Sequence, residues 1–138
     1  MLPMKILILE DNPFQLMALH QMLNAFRIFD VLTAENVGAA RSALARRGAI
    51  DVAICDLYMD GESGLELIRE LALKRNATAL IILSAAAPHI IEMAACMARK
   101  QGLMVLGCLP KPVTIGGLGQ LLDSYRRPRS RALGDSAN

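Results

Sequence analysis

The chain has 138 residues, of which 54% are hydrophobic and 20% charged, and a net charge of +2. That length suits one ordinary domain with a single core. No apolar run reaches the ~18 residues of a membrane span, and "MLPMKILILEDNP" turns acidic too early for a secretion signal, so a cytoplasmic protein with no membrane partner is expected.

"MKILILE" (4–10) is an almost continuous apolar run and reads as a first strand, and Pro13 suits the opening turn of a helix over about 13–25. "DVLTA" (30–34) is a mixed strand fit for a sheet edge, and Asn36 can cap a helix over about 37–47. "DVAICD" (51–56) is a third, buried strand. A polar, glycine-bearing turn follows, then a helix over about 64–75 in which Leu65, Ile68, Leu71 and Ala72 form one stripe. Glu66, Glu70 and Lys74 lie outside that stripe at i, i+4 spacing. "ALIILS" (79–84) is the fourth strand. The helix after it, about 88–101, is rich in Ala and Met and short of large anchors, so soft docking is expected, with plain core packing and a partner surface both open. "MVLGCL" (104–109) is the fifth strand, and Thr114 can cap a last helix over about 114–125.

Five β-α units of this kind make an α/β protein. The expected fold is a flavodoxin-like, doubly wound five-stranded parallel sheet of order 2-1-3-4-5, flanked by five helices. Residues 1–125 carry 11 Lys or Arg against 12 Asp or Glu, so the positive excess lies in "RRPRSRALGDSAN". Residues 126–138 therefore read as a basic disordered tail or the start of a linker, and no nucleic-acid partner is expected. Cys55, Cys96 and Cys108 are odd in number and lack C-x-x-C spacing, which argues against a disulfide framework or a zinc site and for buried thiols.

In an open parallel sheet, ligands bind beyond the carboxyl ends of the strands, where the order reverses. The first strand ends in Glu10 and Asp11, the third in Asp56, the fourth in Ser84, and Lys111 follows the fifth. Three carboxylates brought together raise one another's pKa unless a cation intervenes. Hard oxygen donors without His or thiolate select Mg2+ or Mn2+, and His20 and His89 fall elsewhere. Magnesium is commonly shared with a phosphate, yet the chain has neither G-x-x-x-x-G-K-[ST] nor G-x-G-x-x-G to cradle a nucleotide. What remains is attack on phosphorus by a carboxylate, with Asp56 as nucleophile, Glu10 and Asp11 on the metal, and Lys111, Ser84 and backbone N–H groups facing the phosphoryl oxygens. Blander readings are a helix-dipole pair for Glu10 and Asp11, a turn hydroxyl for Ser84 and a solvated Lys111. The dipole reading leaves the alignment with Asp56 without an account.

With these residues placed, "ILILEDNPFQ", "DLYMDGESGLEL", "ILSA" and "LPKP" resemble, in order and spacing, the receiver domain of two-component response regulators over residues 4 to about 125. The resemblance implies Asp56 as phosphoacceptor and Glu10, Asp11, Asp56 and the backbone carbonyl of Tyr58 as Mg2+ ligands. It also implies Ser84 as switch hydroxyl, Lys111 as phosphate-binding cation, and a cis bond between Lys111 and Pro112. It departs from the family at Cys108, where an aromatic residue is usual, at Asp60, where Pro is frequent, and at Ser63, where Asp is frequent. The wording of "LEDNPFQ" and "LGCLPKP" is similar to receivers fused to EAL-type cyclic-di-GMP phosphodiesterases.

The function implied is phosphorelay signalling. A sensor histidine kinase or phosphotransfer protein supplies the phosphoryl group, and the switched surface controls a C-terminal output domain or a separate target. Dimerisation through the fourth helix, fifth strand and fifth helix is common in the family. Such a module is no enzyme in the usual sense, although it assists its own phosphoryl transfer and autodephosphorylation. A stand-alone phosphatase would show D-x-D, which Asp56-Leu57-Tyr58 lacks; a receiver-like interaction module that is never phosphorylated is the other alternative.

Overall fold

The structure, a computed structural model, describes residues 3–126; the basic tail expected over 126–138 lies, beyond Arg126, outside the described residues. The elements run β1 (Lys5–Leu9), α1 (Pro13–Ala25), β2 (Asp30–Ala34), α2 (Val37–Arg47) and β3 (Ile50–Asp56). A short hairpin of β4 (Tyr58–Met59) and β5 (Glu62–Ser63) comes next, followed by α3 (Gly64–Leu73), β6 (Ala77–Leu83), α4 (Pro88–Lys100), β7 (Met104–Leu109) and α5 (Ile115–Arg126). Five strands pair in parallel in the order β2-β1-β3-β6-β7. Setting the hairpin aside, this is the doubly wound, flavodoxin-like order 2-1-3-4-5 with five helices.

Strand periodicity sorts the core into two layers. On β1, Ile6 and Ile8 face the cluster built with α1 and α5, while Leu7 and Leu9 face the one built with α2, α3 and α4. All four are fully buried, each worth roughly 2 kcal/mol relative to exposure. Among the described residues no helix is long and apolar enough to cross a membrane.

Caps mark the helix starts. Asn12 Oδ1 accepts from the N–H of Phe14 and Gln15, Asn36 Oδ1 from Ala39, Ser63 Oγ from Leu65, and Thr114 Oγ1 from Gly117. Helix α4 has no such cap and buries only Ala94, Ala95 and Ala98, leaving Met93 exposed, as its composition suggested.

Three expectations change. In α3 the buried stripe is Gly64, Leu67, Ile68, Leu71 and Ala72, with Leu65 on its flank, because Gly64 seats the helix against β3. Glu66 and Glu70 turn to Arg41 of α2, so these charges join two helices instead of only pairing along one. Only Cys55 is fully buried, its thiol pushed up to about 12 by desolvation. Cys108 is half-buried, and Cys96 is exposed because the small alanine footprint of α4 leaves that side of the helix in solvent.

Candidate functional site

Parallel register carries the polar residues to one rim. Leu9 is opposite Cys55, so the next residue on each strand, Glu10 and Asp56, emerge side by side. Asp56 is opposite Leu83, which puts Ser84 one step further on, and the Ser84 N–H donates to the Leu109 carbonyl at 3.3 Å. Lys111 follows two residues later, joined to Pro112 by a cis peptide bond.

Glu10, Asp11 and Asp56 each offer a carboxylate oxygen, and these oxygens lie within 4.8 Å of one another. Two unit charges at that spacing repel by roughly 3.5 kcal/mol at an effective dielectric constant of about 20. Lys111 offsets the repulsion: its Nζ donates to Asp56 Oδ2 at 2.5 Å and lies 2.8 Å from Glu10 Oε1. Each carboxylate also accepts one backbone N–H, Glu10 Oε2 from Asn12 at 3.0 Å, Asp56 Oδ1 from Tyr58 at 3.1 Å and Asp11 Oδ2 from Asp60 at 2.8 Å.

Glu10 and Asp56 are each 1% exposed, whereas Asp11 is only partly buried. Burial raises the Glu10 pKa, and the charge of Asp56 adds to this against the lowering by Lys111 and the Asn12 N–H. For Lys111, burial alone would lower the pKa, but its contacts with Asp56 and Glu10 outweigh burial and leave it raised. Glu10 Oε1 faces the ammonium yet, among the described residues, has no aligned hydrogen-bond donor. A buried, negatively charged oxygen with spare lone pairs in an all-oxygen cluster fits a hard divalent cation such as Mg2+.

The structure thus brings Glu10, Asp11, Asp56 and Lys111 into one cluster. Ser84 lies buried on the same rim, where its Oγ accepts from the Ala86 N–H at 2.8 Å. Tyr58 follows the cluster with its ring exposed, and its N–H is the group that touches Asp56. His20 on α1 and His89 at the start of α4 take no part in the acidic group.

Sequence reasoning missed Asn12, Glu62 and Gly64, and at Asp60 it noted the departure from Pro but not the N–H that reaches Asp11. Asn12 both caps α1 and orients Glu10, and an Asn directly before Pro is a readable cap signal. Glu62 Oε1 accepts from the Val37 N–H at the start of α2, across 25 residues, and no local pattern announces it. Gly64 is needed because a Cβ there would overlap the Asp56 carbonyl.

Residues 6–123 match the family described as response regulator receiver domain. The cyclic di-GMP phosphodiesterase RocR of Pseudomonas aeruginosa is 32% identical over 126 residues, 91% of this chain and 32% of that protein. The chain therefore spans about a third of the length of the curated relative it matches. Among solved structures, a response regulator receiver protein from Pseudomonas putida is 27% identical at a TM-score of 0.74, covering 90% of this chain and 98% of that one. A response regulator receiver domain protein from Clostridium thermocellum is 27% identical at a TM-score of 0.71, covering 94% and 98%. With the match running from β1 into α5, the chain belongs to the response regulator receiver domain family.

Proposed function

We propose that this module of phosphorelay signalling accepts a phosphoryl group on Asp56 from a sensor histidine kinase or phosphotransfer protein. Glu10, Asp11, Asp56 and the backbone carbonyl of Tyr58 would hold Mg2+. The observation that carries the reading is a buried Asp56 hydrogen-bonded to Lys111 within a cluster of three carboxylates.

The chemistry follows from the residues. Asp56 attacks phosphorus, an oxygen–phosphorus bond forms, the phosphorus–nitrogen bond of the phosphohistidine breaks, and the imidazole leaves as it takes up a proton. Lys111, already at Asp56, then neutralises a phosphoryl oxygen, and the Ser84 hydroxyl and backbone N–H groups at the β3 end face the others. A bound divalent ion supplies neutralisation of the carboxylates and of the charge developing on the phosphoryl oxygens. Transfer and autodephosphorylation would use the same groups.

The switched surface would control a partner or output domain. Similarity to RocR, of which the match covers 32%, supports an EAL-type phosphodiesterase output. Residues 1–125 would then be the receiver and 126–138 the start of a linker, all working in the cytoplasm. Cys108 packs against the core layer that α4 joins, and a thiol there cannot repeat the swing of an aromatic ring, so coupling to α4 would differ from the usual route.

Incubation with Mg2+ and acetyl phosphate, read by intact mass, tests the proposal. A gain of one phosphoryl group that disappears in Asp56→Asn supports it. Turnover of external phosphoesters would indicate a phosphatase instead, and no adduct with either acetyl phosphate or beryllofluoride would leave a receiver-like interaction module.

A further inference from the structure

The three clustered carboxylates are not held alike. Glu10 and Asp56 are buried, and each is fixed by an N–H two residues further on in its own turn. Asp11 is only partly buried, and its hydrogen bond comes from Asp60, 49 residues away at the tip of the β4–β5 hairpin. A carboxylate in partial contact with water has several rotamers open to it, and a charge-assisted hydrogen bond selects one of them.

We propose that the backbone N–H of Asp60 positions Asp11 for a divalent cation, so that the hairpin tip sets how tightly the third carboxylate joins the site. This rests on the cation reading given above. The hairpin is itself tied down on its other strand, where Glu62 Oε1 accepts the Val37 N–H at 3.0 Å. Cation binding and hairpin order are therefore reciprocal: whatever steadies Asp60 tightens the site, and an occupied site steadies Asp60.

Two variants isolate the N–H. Asp60→Pro removes the donor and fits the turn, since Gly61 after it has a φ of 76°, the conformation of a turn that accepts Pro before Gly. Asp60→Ala removes the carboxylate and keeps the donor. In Mg2+ titrations by calorimetry, Asp60→Pro is expected to bind about tenfold more weakly than Asp60→Ala, the scale typical of groups that orient a metal ligand. A second readout uses no metal and no Pro: amide hydrogen exchange at residue 60 should speed up in Asp11→Ala relative to the unaltered chain. Equal Mg2+ affinity in the two Asp60 variants, or unchanged exchange in Asp11→Ala, overturns the inference while leaving the cation site standing. Absence of saturable Mg2+ binding by the unaltered chain overturns the cation reading and this inference with it.

Discussion

Gly64 and Asp56 meet backbone to backbone: a Cβ on Gly64 would lie 1.8 Å from the Asp56 carbonyl oxygen and 2.9 Å from its carbonyl carbon. The Gly64 N–H also donates to the Leu57 carbonyl at 3.1 Å, so α3 begins in direct contact with the end of β3. A side-chain tip could yield to an added methyl group, but this backbone cannot. Gly64→Ala is expected to cost about 3 kcal/mol by overpacking, measured by urea unfolding, and to displace the turn that carries Tyr58 and Asp60. A variant of unchanged stability would mean that α3 slides freely on β3.

Lys111 neutralises two carboxylates that are almost wholly buried. Lys111→Met leaves them facing each other and should lower stability at pH 7 by about 3 kcal/mol, the scale for removing one partner of a buried ion pair. Added MgCl2 should restore more stability to this variant than it adds to the unaltered chain. The folded-state pKa of Lys111 is raised above 10.5, so its contribution is complete below that value and is lost as pH rises through the folded value. Alkaline titration of stability should show this loss in the unaltered chain and not in Lys111→Met.

Glu10 carries the opposite sign of effect. Burial raises its pKa above 4.5, so the fold favours the protonated form, a preference present below 4.5 and lost as pH rises through the folded value. Ionised Glu10 is therefore a cost at neutral pH. Glu10→Gln should raise the melting temperature at pH 7 in chelator by about 3 °C, the shift for a change on the order of 1 kcal/mol in a chain of this size. The gain should shrink as pH falls toward 4.5, and Mg2+ affinity should drop. A lower melting temperature at pH 7 would show that pairing with Lys111 outweighs desolvation.

Helix α5 opens with three glycines in five residues, and they are not equivalent. A Cβ on Gly116 meets nothing within 4 Å, whereas one on Gly119 would come 2.9 Å from the Phe26 ring. Gly116→Ala should stabilise the chain by about 0.5 kcal/mol through helix propensity and reduced unfolded-state freedom. Gly119→Ala should lose that gain to the displaced ring. Thermal unfolding of the two variants decides whether the glycines serve packing or merely weaken the helix.

Much of this protein was legible along the chain. The bounds of β2, β7, α1 and α2 follow from apolar runs, caps and turn residues, and β1, β3 and β6 differ from their expected limits by no more than two residues at either end. The gathering of Glu10, Asp11, Asp56 and Lys111 on one rim was equally readable, because parallel strands of similar length must end on the same side. Short-range sterics decide the elements and short-range patterns record them, and the shared rim then follows from the parallel order.

Tertiary structure alone decided the rest. That Lys111 is shared between two carboxylates, that Asp60 holds Asp11, that Glu62 caps α2, and that Gly64 lies against Asp56 all depend on segments meeting across the chain. The register shift between Leu80 and Ile81, where Leu106 is the extra residue on β7, likewise leaves Cys108 packed against the layer that contains α4. Each of these contacts depends on how residues far apart in the chain are placed against one another in space, and residue type and periodicity do not encode that placement.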